Sequence, residues 1–229
     1  MKYPHSLSPY RLFLGALFSL FALFSLPATV ALADAPEFID AQANFEQGLR
    51  GDKDASKKAY EGFSKLVKEH PDNPLYLAYM GSNETIFARD DWLPWRQIKN
   101  LDKGLDHLDK ALAMLGPEHD DQYERLSVIS IETRLVALTT FINVPGFANR
   151  FQDAKDLFAE TIEQTVFPKA PPEVRQRVYL QGADIAAKEN NTADEIKYLK
   201  KALSVRPDGF YAEQIRKRLQ ESEQESAHD

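Results

Sequence analysis

From Leu12 to Leu26 the chain is almost purely Leu, Phe and Ala, whereas beyond Gly51 apolar positions recur at intervals of three and four. The second pattern is that of one buried face on each of a series of helices. Ala59, Phe63 and Leu66 define one helix, which Pro71 closes. Asn73-Pro74 then supplies a cap and a first-turn proline for the next, whose buried side carries Leu77, Met80 and Gly81. Ile98, Leu101, Leu105, Leu108, Leu112 and Leu115 form one long stripe, so the stretch from Asp90 to Asn100 is predicted to extend a helix at its N-terminus instead of forming a loop. Pro94 falls in its first turn, Asp90 or Asp91 can cap it, and Gly116-Pro117 ends it.

A third unit is expected from near His119. There Leu126, Ile129, Val136 and Phe141 mix with Val128, Leu135, Leu138 and Ile142 into a face wide enough to be covered on more than one side. Asn143-Val144-Pro145-Gly146 breaks it, Ala154 and Phe158 mark the following helix, and Pro168, Pro171 and Pro172 make a stiff connector. Val174, Val178 and Ile185 carry a fourth unit, which turns at Asn190-Asn191 and restarts with Thr192 and Glu195 as a capping box. Leu199, Ala202 and Pro207 follow. Phe210 to Glu223 gives a last helix with Tyr211, Ile215 and Leu219 on one face and charge on the other, as the end of a stacked array needs.

The pairs resemble tetratricopeptide repeats, which place Leu-Gly and a Tyr in a first helix and an Ala, a Phe four later and a closing Pro in the second. Ala59, Phe63 and Pro71 fit that spacing, as do Leu77, Met80 and Gly81, then Gly104, Leu108 and Ala111, then Leu199, Ala202 and Pro207. Two departures stand out: Glu84 replaces the Tyr, and the second unit's halves lie about 11 residues further apart than the consensus. The resemblance spans Ala35 to Gln220 and implies an all-α fold, a short right-handed α-α solenoid of about four helix pairs plus a C-terminal capping helix. A sel1-type or generic α-α solenoid is the alternative. Repeat proteins of this kind that grip a partner's C-terminal carboxylate use Lys and Asn on the concave face of their first helices. Here the matching positions are Leu75, Ala78 and Ser82, then Arg177, Leu180 and Asp184, so that clamp is missing and the groove suits an apolar or helical segment.

The N-terminal apolar run has Lys2 and Arg11 before it, no acidic residue, Pro27 after it and then Ala31-Leu32-Ala33. That order is a secretory signal, with cleavage expected after Ala33; an uncleaved anchor is the alternative, since Leu12 to Ala33 is long enough to span a bilayer if Pro27 is tolerated. The domain reading is thus 1–33 signal peptide, 34–220 repeat domain and 221–229 a polar tail expected to fray. The protein is placed in the periplasm, or is secreted, or is membrane-anchored if the segment stays.

Loss of the signal removes two positive charges from a chain whose formal net charge is already −7, so nucleic acid would be repelled. There is no cysteine, which excludes thiol catalysis and thiolate metal sites and leaves packing to supply stability. At 43% hydrophobic residues the chain can bury a core. His70, His107 and His119 have no metal-ligand spacing; His70 suits a helix C-terminus and His107 falls on the polar side of its stripe. Asp90-Asp91 and Asp120-Asp121 fit helix starts, and no nucleophile elbow, phosphate loop or zinc motif occurs. No cofactor, metal or catalytic residue is therefore expected. Asn83-Glu84-Thr85 and Asn190-Asn191-Thr192 fit the glycan acceptor pattern. Glu84 and Arg134 lie near the apolar stripes of neighbouring first helices, where they either pair or reach solvent.

The most unusual surface is Asp91-Trp92-Leu93-Pro94-Trp95-Arg96, which holds both tryptophans of the chain. Trp92, Trp95 and Arg96 are of the types enriched at interface hot spots and form the candidate partner-binding site. The competing reading is that Trp95, one turn before Ile98, docks the extended helix onto the body. The block and the Leu-rich helix after it resemble a segment of exported bacterial tetratricopeptide-repeat proteins associated with membrane transport, which implies a periplasmic setting and a membrane or envelope protein as partner.

Overall fold

In a computed structural model the described residues are 36–124 and 127–226, so the expected signal segment and its cleavage site lie outside them. The fold is all-helical, with nine α-helices among the described residues and adjacent helices packed in pairs. None of these helices is long and apolar enough to cross a membrane.

Helix α1 (Pro36–Leu49) turns at Gly51, whose φ of 103° only glycine adopts freely, into α2 (Lys53–Glu69). Asp52 caps α2 by accepting from the Asp54 and Ala55 N–H groups at 3.0 and 2.9 Å. Phe63, Phe38, Phe45 and Tyr79 meet between α1, α2 and α3 (Pro74–Asp90), with Phe63 stacked on Tyr79 at 5.0 Å. The predicted start of α3 is found: Asn73 accepts from the Leu75 N–H at 3.0 Å and Pro74 opens the first turn.

Helix α4 (Pro94–Ala113) is the extended helix expected, opening on Pro94, but its cap is Leu93, with no side-chain bond. Asp90 instead ends α3, and Asp91 ties the turn by accepting from the Leu93 N–H at 3.0 Å. Helices α3 and α4 approach until their backbones touch. A Cβ on Gly81 would stand 2.7 Å from the Gly104 carbonyl oxygen, and one on Gly104 would stand 2.6 Å from that of Gly81. The buried seam of α4 runs through Leu101, Gly104, Leu105, Leu108 and Ala111, while Ile98 is exposed.

Helix α5 (Ile129–Asn143) begins later than His119 suggested. A 3-10 turn at Pro117–Asp120 and the antiparallel two-residue strands β1 (Tyr123–Glu124) and β2 (Ser127–Val128) occupy the interval. His119 is used locally, its Nδ1 accepting from the Gly116 N–H at 3.0 Å. The wide apolar face of α5 is buried all round, against α3, α4, α6 (Phe151–Glu163) and α7 (Pro172–Lys188).

Helices α7 and α8 (Thr192–Val205) form the last pair, turning at Asn190 with φ 56°. The α8 cap is Asn191, accepting from the Asp194 N–H at 3.1 Å, one residue before the expected Thr192. Buried Gln176 donates to the Ala202 and Arg206 carbonyls at 3.1 and 2.9 Å, holding the end of α8. Helix α9 (Ala212–Ser226) packs Ile215 on Leu199 and Ala202. It runs beyond the tail boundary expected at 220, because Ser222 is buried and Glu223 pairs with Lys200 at 2.8 Å.

Glu84 does not meet Arg134. Its carboxylate, 2% exposed, takes Lys103 Nζ at 2.8 Å and His107 Nδ1 at 2.7 Å from α4, while Arg134 pairs with Glu160 of α6 at 3.0 Å. Each ion is answered by the second helix of its own pair. Burial opposes the charge on Glu84, but hydrogen bonds from His107 and Lys103 outweigh it and lower its pKa below the usual value. A lowered folded-state pKa gives stability that is present above the unfolded value, roughly 4.3, and is lost as pH falls through the folded one. Glu84→Gln should accordingly cost about 2 kcal/mol in urea unfolding at neutral pH and progressively less as pH drops below 4. An equal loss at both pH values would rule the charge out as the cause.

Candidate functional site

A groove of about 740 Å³ lies along the alternate helices α1, α3, α5 and α7, with the first turns of α4 and the turn after α5 at one end. Its volume is that of a ligand site. The first helix of each pair contributes one side chain to a relay at the other end. Gln42 donates to the Tyr79 hydroxyl at 2.8 Å, that hydroxyl donates to Glu132 at 3.2 Å, and Arg177 reaches Glu132 at 3.4 Å. Burial, with Glu132 adding to it, pushes the Tyr79 phenol far above its ordinary range and keeps it a donor. Burial also works against the Arg177 charge, yet Glu132 and Tyr79 prevail and hold the guanidinium above its usual range.

From this polar end the groove turns apolar, through Phe45, Ile86, Val136 and Leu101 to Val144 and Phe147. Three hydroxyls along the way, those of Ser82, Thr85 and Thr140, bond within the wall. Ser82 Oγ and Thr140 Oγ1 meet at 2.8 Å, Thr140 donates to the Val136 carbonyl at 2.8 Å, and Thr85 donates to that of Ser82 at 2.8 Å.

Of the concave-face positions named from the repeat pattern, Ser82 and Arg177 line the groove. Leu75 and Ala78 are wholly buried and do not line it, and Asp184 pairs with Arg218 on α9. Sequence reasoning missed the groove's other walls because Gln42, Tyr79 and the turn residues Val144, Pro145 and Phe147 are far apart along the chain and carry no shared motif.

Trp92 and Trp95 are 82% and 66% exposed, so Trp95 does not dock the helix onto the body. Ile98 is exposed beside them, and Arg96 reaches Asp91 at 3.8 Å. The block is anchored by its backbone instead: Gln97 Nε2 donates to the Asp91 carbonyl at 2.6 Å while Gln97 also lines the groove. The hot-spot candidates thus form an exposed aromatic surface at the helix start, while the neighbouring Gln97 and Leu101 line the groove.

Among the described residues no three His, Cys, Asp or Glu side chains are placed to hold a metal ion. His70 ends α2 with its ring against Tyr76, at 5.8 Å, and Asn83 is fully buried with its amide donating to the Ser56 carbonyl at 3.0 Å. The folded protein therefore offers no acceptor at Asn83. Comparison with protein-family models, with curated proteins and with solved structures gave no match to the chain.

Proposed function

We propose that the chain is an exported, periplasmic, non-catalytic scaffold of tetratricopeptide type that holds a partner protein of the bacterial envelope, such as a component of a membrane-transport complex. Its stacked pairs form a short right-handed solenoid, consistent with alternate helices lining one groove. The observation that carries the reading is the exposure of Trp92 and Trp95 beside Arg96 on a firmly tied helix start. Trp92, Trp95 and Ile98 are neighbouring exposed apolar side chains, and such a cluster gives its burial energy to whatever covers it.

Retention of one stoichiometric envelope protein on the immobilised chain is the expected result. Trp92→Ala with Arg96→Ala should weaken that retention by roughly 30-fold or more, the loss of a single hot spot. Unchanged retention by a variant with native helicity would sink the proposal.

A second reading is supported by the groove, whose volume and polar end suit a small ligand. In that case the protein is a periplasmic ligand-binding protein, and a ligand-induced rise in melting temperature without a protein partner would favour it.

A further inference from the structure

We infer that the groove takes a single free fatty carboxylate, its head on Arg177 and its chain along the apolar wall toward Phe147. The inference rests on the second reading above, that the groove is a ligand pocket.

Among the described residues the groove is lined by two cations, and they differ in what they have left to offer. Arg89 is spent: Nε and Nη2 bond Asp90 at 2.7 and 3.0 Å, and Nη1 and Nη2 bond the Leu49 and Gly48 carbonyls at 3.0 and 2.8 Å. Arg177 makes one long contact, 3.4 Å to Glu132, and its side chain is 39% exposed. A guanidinium has five N–H donors in a planar fork, so most of those on Arg177 remain for a group in the groove, and a carboxylate matches the fork. Glu132 is itself buried, does not line the groove and takes the Tyr79 hydroxyl. Exposed Glu46 also acts on the guanidinium and competes with an incoming anion.

The middle of the groove selects against a polypeptide. The Ser82, Thr85 and Thr140 hydroxyls are bonded within the wall, and Asn143 donates to the Thr139 carbonyl at 2.7 Å. An extended peptide laid there would lose water from its backbone and find few partners. A helix satisfies its own backbone, but at 10–12 Å across it would fill 740 Å³ with only about four to six residues. A hydrocarbon chain asks for no partner. Exposed Phe147 and Leu49 at the apolar end give it an entry.

Calorimetric titration of the full chain with palmitate, with uncharged monopalmitoylglycerol and with an amphipathic Leu/Lys peptide tests this. The expected result is saturable one-to-one palmitate binding, weakened about tenfold or more by Arg177→Gln while monopalmitoylglycerol is unaffected. Glu46→Gln should tighten palmitate about two- to threefold. Thr139→Trp and, independently, Asn143→Trp, both at positions that reach solvent, should abolish it with helicity unchanged.

Palmitate binding that survives both fillers, or that ignores Arg177→Gln, overturns the inference. If palmitate fails while the peptide or monopalmitoylglycerol binds and Thr139→Trp blocks it, the pocket reading stands and the fatty carboxylate falls. If no probe binds, both fall.

Discussion

Phe63→Ala is expected to lower the unfolding free energy by about 3–5 kcal/mol, read as a lower urea midpoint in far-UV circular dichroism with the slope unchanged. Phe63 is fully buried at the centre of the first two pairs, with Phe38 and Phe45 at 6.2 Å and Tyr79 stacked at 5.0 Å. Its loss combines an apolar transfer term with a cavity that three rigid rings cannot close. Phe63→Leu keeps most of the volume and should cost about 1–2 kcal/mol. Because Tyr79 carries the hydroxyl at the groove's polar end, the alanine variant should also loosen that relay, while a loss below about 1 kcal/mol would mean the cluster is not the core it looks to be.

Gly81→Val is expected to cost about 3 kcal/mol or more, and Gly104→Val a similar amount. The added Cβ of Gly81→Val meets the Gly104 carbonyl oxygen at 2.7 Å and the Leu108 nitrogen at 3.2 Å, both backbone atoms of a neighbouring helix. Backbone cannot rotate away as a side chain does, so α3 and α4 must separate. The double variant should cost less than the sum, since one opening of the pair accommodates both side chains. Full additivity would show that the two glycines do not share a contact.

Helices and pair boundaries were the legible part of this chain. Pro74 after Asn73, Pro94, the Asn190 turn and the Ala59–Phe63 spacing act through local backbone and packing rules, and each has its expected place. On α4 the stripe of large residues is rotated from the true seam, which follows the repeat positions Gly104, Leu108 and Ala111. Gly104 and Ala111 are core positions by virtue of being small, and weighting them moves Ile98 and Trp95 off the seam into solvent. Whether Glu84 pairs with Arg134 or reaches solvent was open in the sequence, because periodicity shows which face is buried and not which helix buries it. The groove was hidden for the same reason. Its polar end is assembled from Gln42, Tyr79, Glu132 and Arg177, one from each alternate helix, and only tertiary packing brings them together.

Both tryptophans sit at the start of α4 and both face water, while the buried aromatic cluster around Phe63 is made of Phe and Tyr. The protein is thus built with its indole chromophores on one small patch and none in its interior. Indole emission from the native state is that of a solvated ring, so unfolding changes it little and tyrosine or helical signals must follow the core. Whatever settles over Trp92 and Trp95 would instead announce itself as a blue shift against an almost silent background.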